Sequence, residues 1–170
     1  IILTSLTLGY FFEPSEYTFS KNSNDAKQNI NFYLDSVESR SFNKDGTHTN
    51  TLTTTHAVQY TGKSAIHMQQ PQLYIALHLS PWLANAKEGT TSSNQKMITL
   101  SNSVTLKRID GSADVYTEKL VFDSAAEVAY TLSPVEIFAQ KSETTADGIH
   151  VDLNREINQI KNNVRTYYAP

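Results

Sequence analysis

The feature that most constrains this chain is a two-residue rhythm. From Asn31 onward, apolar and polar side chains alternate through segments rich in Thr, Val, Ile and Tyr, the pattern of strands with one buried face. In TLTTTHAVQY, Leu52, His56, Val58 and Tyr60 share a parity; Ile66 and Met68 do so in SAIHMQQ, and Leu73, Ile75, Leu77 and Leu79 in PQLYIALHLS. Leu100, Val104 and Leu106 alternate with hydroxyl side chains in TLSNSVTLKR; then come Leu120 with Phe122, the trio Val128, Tyr130 and Leu132, and Val135, Ile137 and Ala139. Asp45-Gly46, Thr61-Gly62, Asp110-Gly111 and Asp147-Gly148 supply glycine between such runs, as tight hairpin turns require. Short strands joined by turns, with no helix-period segment between them, predict an all-β antiparallel sandwich, jelly roll or barrel.

The tail is open to two readings. Ile157, Ile160, Val164 and Tyr167 or Tyr168 fit helical spacing, whereas NNVRTYYAP ends in β-prone residues.

The start of the chain differs from the rest. IILTSLTLGYFF is an apolar run with no basic flank, shorter than the roughly 20 residues a membrane span needs. Residues 13–29 are polar and aperiodic, as in a linker. We expect residues 1–12 to be the outer end of a transmembrane helix truncated at its start, 13–29 a linker, and 30–170 one β domain. A signal-peptide remnant and a core strand are the alternatives for the run. Thr4, Ser5, Thr7 and Gly9 are small enough for close helix contact within a membrane.

Few chemistries find support. Fourteen basic against seventeen acidic residues give a net charge of −3, too balanced for phosphate contacts to anchor nucleic acid. The absence of cysteine removes disulfides and thiolate sites. His48, His56, His67, His78 and His150 form no HExxH or HxH pairing, and His56 reads as a hydrogen-bonded core histidine. No GxSxG elbow or phosphate-cradling glycine loop is present, and Glu136, Glu143, Asp147 and Asp152 read as surface carboxylates. No enzyme, metal or cofactor is expected.

Taken as one unit, DSVESRSFNKDGTHTNTLTTTHAVQYTGKSAIHMQQPQLYIA resembles the periplasmic domain of the LptC family of lipopolysaccharide export proteins. The resemblance rests on Phe42, Asn43, Gly46, Leu52, His56, Tyr60, Gln70 and Pro71 in that order. It continues through PWLANAKEG, MITLSNSVTLKRI and the closing Val164, Arg165, Thr166 and Tyr168. It spans about Asn31 to Tyr168. Asn102 and Ala139 stand where the family tends to carry glycine; Asn adopts positive φ readily and Ala does not. QKSETTADG looks longer than the family's loop.

The resemblance implies a twisted, partly open antiparallel β-jelly roll behind one N-terminal transmembrane helix, in the inner membrane of a Gram-negative bacterium with its soluble domain in the periplasm. It implies a noncatalytic component that receives lipopolysaccharide from LptF and LptG, with their LptB ATPase, and passes it to LptA, while its transmembrane helix regulates the transporter. By position, Val37 and Met68 match lipid-contacting places, and Ile66 shares Met68's parity. Leu52, Leu73, Ile75, Leu100, Val104, Leu106, Leu120 and Phe122 are the other inward candidates for sheltering acyl chains. Ile2, Leu6 and Gly9 are expected to meet the transporter, and Val164, Thr166 and Tyr168, on one strand face, to meet LptA. A stand-alone extracytoplasmic module binding carbohydrate or protein through hydroxyl-rich outer faces is the alternative; a jelly-roll hydrolase comes third, with no residue to nominate.

Overall fold

The computed structural model describes residues 29–168 apart from 77–80, 93, 95, 154 and 156. The expected membrane segment, most of the linker, and Ile2, Leu6, Gly9, Leu77, Leu79 and His78 lie outside the described residues. Among the described residues no helix is long and apolar enough to cross a membrane.

Alternation sets the architecture: strands with one apolar face, paired antiparallel throughout. Four passes of the chain are single long strands, β1 (Ile30–Phe42), β2 (His48–Tyr60), β7 (Met97–Arg108) and β8 (Asp114–Asp123). Five further passes are each split in two: β3 (Ala65–Gln69) with β4 (Gln72–Ile75), β5 (Trp82–Asn85) with β6 (Glu88–Ser92), β9 (Val128–Thr131) with β10 (Val135–Ala139), β11 (Ser142–Ala146) with β12 (Gly148–Asp152), and β13 (Ile157–Lys161) with β14 (Arg165–Tyr168). The nine passes form a meander in which each pass pairs with the one before and the one after.

Each pass kinks or breaks at a corner, and the corners align into a seam. They lie at Ser36, Thr54-Thr55, Gln70-Pro71, Ala86-Lys87, Asn102-Ser103, Glu118, residues 132–134, Asp147 and Asn162-Asn163; Gln70, Ala86, Asn102 and Glu118 follow one another at intervals of 16 residues. Ser36, Gln70, Asn102, Ser103, Asn162 and Asn163 all have positive φ, which re-aims the strand. Hydrogen bonds stitch the seam: Gln70 N to Lys87 O (2.8 Å), Ala86 N to Pro71 O (3.1 Å), Lys87 N to Asn102 O (3.1 Å), Thr54 Oγ1 to Gln69 O (2.5 Å) and Thr117 Oγ1 to Pro134 O (2.9 Å).

The seam divides the meander into two half-sheets. Half-sheet I joins β3, β6, β9, β12 and β13 to one half of each long strand; half-sheet II joins β4, β5, β10, β11 and β14 to the other. Met68, Leu100, Leu120, Phe122 and Ile149 of half-sheet I share one buried cluster with Leu52, Leu73, Ile75, Leu106 and Val115 of half-sheet II. The two halves therefore pack face to face, a jelly-roll-like sandwich folded from one meander. Among the described residues no pairing joins the first pass to the ninth, so the outer edges of β1, β13 and β14 are unpaired.

The corners change which residues face inward. In β2, Leu52 and Thr54 point in; beyond the corner Ala57 does, and His56 and Tyr60 are half-buried on the other face with His67 and Gln69, where Val58 is nevertheless buried, at 7% exposure. The shared parity expected for Leu52, His56, Val58 and Tyr60 is thus broken by one residue. Likewise Ala129 and Thr131 are buried, while Val128 and Tyr130 face outward and Leu132 is 86% exposed at its corner.

Gly46, Gly62 and Gly111 form the expected hairpins with φ of +85°, +74° and +73°. Asp147-Gly148 is not a hairpin: β11 pairs with β10 and β14, β12 with β9 and β13. Gly148 is required by proximity, since a Cβ there would stand 2.5 Å from the Thr131 carbonyl oxygen. Asn102 has φ +68°, whereas at Ala139 the left-handed step moves to Gln140 (φ +45°). QKSETTADG is a two-residue turn followed by β11 rather than a long loop. The tail is strand, not helix.

Candidate functional site

Cross-strand register lines trace the interior. The middle line of half-sheet II runs through all nine passes: Ser39, Leu52, Leu73, Ala84, Leu106, Val115, Ile137, Thr144 and Thr166. In half-sheet I a line runs from Leu34 through Ala57, Met68, Gly89 and Leu100 to Leu120. A second starts at Phe32 and passes Gln59, Ile66, Thr91, Ile98 and Phe122 to Ala129, Val151 and Asn158. Partners in register point to the same side of a sheet, so these are inner faces.

All the inward candidates lie on that interior, in two environments. Leu52, Met68, Leu73, Ile75, Leu100, Val104, Leu106, Leu120 and Phe122 are fully enclosed between the half-sheets. Val37 and Ile66 are half-buried, Val37 on the first pass, where among the described residues no further strand covers it. The tail residues occupy the opposite end. Thr166 pairs with Thr144, their hydroxyls 2.9 Å apart, and Tyr168 pairs with Ser142. Val164 directly precedes β14, and Tyr168 is 79% exposed.

Sequence reasoning missed Phe32, Leu34 and Ile160. Phe32 and Leu34 alternate with Asn31, Tyr33 and Asp35 in NINFYLD, a legible signal continuing the rhythm back to Ile30. Ile160 pairs with core residue Ile149 yet remains 39% exposed because the meander ends there.

The outer faces are polar. His56 is a half-buried outer-face residue rather than a core histidine: its Nδ1 lies 2.9 Å from Tyr33 Oη and bonds Asp35 Oδ1, fastening β1 to β2. The Tyr33 hydroxyl, donating to Asp35 at 2.6 Å, and His56 hold the Asp35 carboxyl below its ordinary value of 3.8 against an opposing desolvation effect. Lys107 is raised by its 3.0 Å contact with Asp114. An outer cleft of about 380 Å³ beside the seam is lined by Ser103, Thr105, Tyr116, Glu118, Pro134 and Glu136. Among the described residues no three His, Asp or Glu side chains converge as metal ligands would.

The arrangement is thus an apolar interior between two half-sheets, with strand edges at both ends unpaired among the described residues. The solved structure of LptH from Pseudomonas aeruginosa, described as the LptA homologous periplasmic component of the conserved lipopolysaccharide transport device, is similar in fold. The TM-score is 0.56 at 7% identity, covering 71% of this chain and 95% of that one; such low identity speaks for the fold alone. No match to a curated protein was found. The sequence matches the family model described as "Lipopolysaccharide-assembly, LptC-related" over residues 1–169. The chain therefore belongs to the LptC-related lipopolysaccharide-assembly family.

Proposed function

We propose that this chain is a noncatalytic relay in lipopolysaccharide transport, taking lipopolysaccharide from the LptF and LptG subunits of an LptB-driven transporter and passing it to LptA. One observation carries this reading: a continuous apolar core runs from the second pass to the eighth, and among the described residues the passes that flank it, the first and the ninth, have unpaired outer edges. An acyl chain lying along that face is withdrawn from water at about 25 cal/mol per Å². The unpaired edges can each add a strand of a neighbour, so that one interior continues into the next. β1 would meet the transporter side and β14, with Val164, Thr166 and Tyr168, would meet LptA.

Residues 1–12 would anchor the domain to the inner membrane, with Ile2, Leu6 and Gly9 against transporter helices, and the β domain would lie in the periplasm. Leu100 and Leu120 are enclosed, so chains would first meet Phe32, Leu34 and Val37 at the first pass, and deeper passage would require the half-sheets to part. Photo-crosslinkers at Val37 and Met68 should capture lipopolysaccharide while the ATPase partner turns over. Absence of any ATP-dependent adduct at both positions would overturn the relay.

A further inference from the structure

The first pass is attached differently from those that follow. None of the 13 residues of β1 is buried, whereas every strand from β2 to β12 holds at least one buried residue. On its inner side Phe32 is half-buried and Leu34 is 48% exposed, so apolar burial contributes little there. The N-terminal half of β1 is held by its ladder to β2 and by polar bonds on the outer face. The Thr61 amide donates to Asn29 O at 2.8 Å, and Asn31 Nδ2 to Gln59 Oε1 at 2.8 Å. Asp35 Oδ1 accepts from the Tyr33 hydroxyl at 2.6 Å and from His56 Nδ1, and the Tyr33 and His56 rings stack with centroids 5.9 Å apart. This cluster sits directly before Ser36, where φ is +52° and the ladder skips from Asp35 opposite His56 to Val37 opposite Thr54. Beyond Ser36 the strand is also tied by the 43–47 turn, where the Asn43 amide donates to Thr47 O (2.9 Å) and the Thr47 amide to Asn43 Oδ1 (2.9 Å).

We propose that residues 30–35 are a strap that swings about Ser36, with Tyr33, Asp35 and His56 as its latch, and that an acyl chain enters the interior sideways beneath it. The latch is wet, Asp35 and His56 being 53% and 30% exposed, so its bonds pass to water at about 1 kcal/mol each. Lifting the strap uncovers Ala57 and Met68, both 4% exposed and next in register to Leu34. Parting the half-sheets elsewhere would instead wet Leu100, Leu120 and Phe122, none more than 1% exposed, at about 25 cal/mol per Å². The first pass is therefore the cheapest place to open the fold. The strap rests on the acyl-chain reading above and supplies its route of entry.

The chain has no cysteine, so Asp35→Cys with His56→Cys, directly opposite each other, replaces the latch with a disulfide that can be closed and opened. The full chain, reconstituted with the LptB-driven transporter, carries a photo-crosslinker at Met68 or Val37 and is supplied with lipopolysaccharide. Oxidation should abolish the Met68 adduct and leave the Val37 adduct, since Val37 lies beyond the hinge on the open edge; reduction should restore the first. Wild type under the same two conditions is the control. Hydrogen exchange supplies a second measurement: in His56→Ala, amides 31–35 should lose protection roughly two- to tenfold, the range of one hydrogen bond, while amides 37–42 keep theirs. The strap is overturned if the Met68 adduct persists with the disulfide closed, or if protection changes equally on both sides of Ser36 or on neither. If wild type gives no adduct at either position, the acyl-chain reading fails and the entry route with it, a pattern distinct from adducts that ignore the disulfide.

Discussion

Replacing Gly148 with alanine tests the seam at a point where two backbones pass too closely to admit a Cβ. The new Cβ would stand 2.5 Å from the Thr131 carbonyl oxygen and 3.3 Å from Leu132 Cα. Carbon and oxygen rest about 3.3 Å apart even in a close C–H···O contact, so the chains must separate by roughly 0.8 Å. Both obstacles are backbone, so no rotamer relieves them. The separation falls at the Thr131–Ile149 pair that ends the β9–β12 ladder. Overpacking costs about 1–3 kcal/mol and a weakened ladder bond about 1 kcal/mol. At roughly 3 °C per kcal/mol for a domain of this size, the melting temperature should fall by roughly 6–12 °C. Gly62→Ala is the control: φ is +74° with nothing within 4 Å, so only the left-handed backbone is penalised, by about 1–2 kcal/mol. Melts followed by circular dichroism, with urea titrations to check an unchanged m-value, decide the matter. If Gly148→Ala melts with wild type, or above Gly62→Ala, the close-approach reasoning is refuted.

Three further outcomes are expected. Phe122, 1% exposed at the centre of the interior, should cost about 3–5 kcal/mol on truncation to alanine, read as a lowered urea midpoint. Gln140→Gly should stabilise by about 1 kcal/mol, since it relieves a φ of +45° in the two-residue turn between β10 and β11; no gain in midpoint would argue against strain there. The native Asp35 carboxyl titrates below 3.8, chiefly through the Tyr33 hydroxyl. The folded state therefore binds fewer protons than the unfolded one as pH nears that value. Its contribution is complete well above 3.8 and is lost as pH falls through the lowered native value. Asp35→Asn should flatten the acid limb of stability against pH, and an unchanged limb would show that Asp35 does not shape it.

Period-two alternation made the strands and their pairing sense legible, and glycine with Asp or Thr marked the hairpins at Gly46, Gly62 and Gly111. The seam was hidden because no one residue type marks it: Ser36, Gln70, Asn102 and Asn162 reach positive φ without glycine, and other corners use Glu118 or Asp147. A strict alternation rule carried across such corners inverts the faces, which is why it put His56 and Tyr60 on the parity of Leu52; Val58 is buried all the same. Gly148 resembled a hairpin because proximity and turn formation select the same residue. The enclosed candidates were legible as apolar strand positions. The Arg108–Trp82 contact was not, since alternation places Arg108 on the Leu106 face but says nothing of Trp82 lying across from it.

The meander also dictates an order of assembly. Because among the described residues each pass pairs only with its neighbours in the chain, loop closure is cheap at every step, and the domain can be laid down one pass at a time. A polypeptide emerging from a membrane channel N-terminus first could thus bury each new pass on the one already in place. Energetically such an array approaches a one-dimensional stack, whose stability is a sum of nearest-neighbour terms. Removing β13 and β14 together should therefore shorten the stack by one layer rather than unravel it.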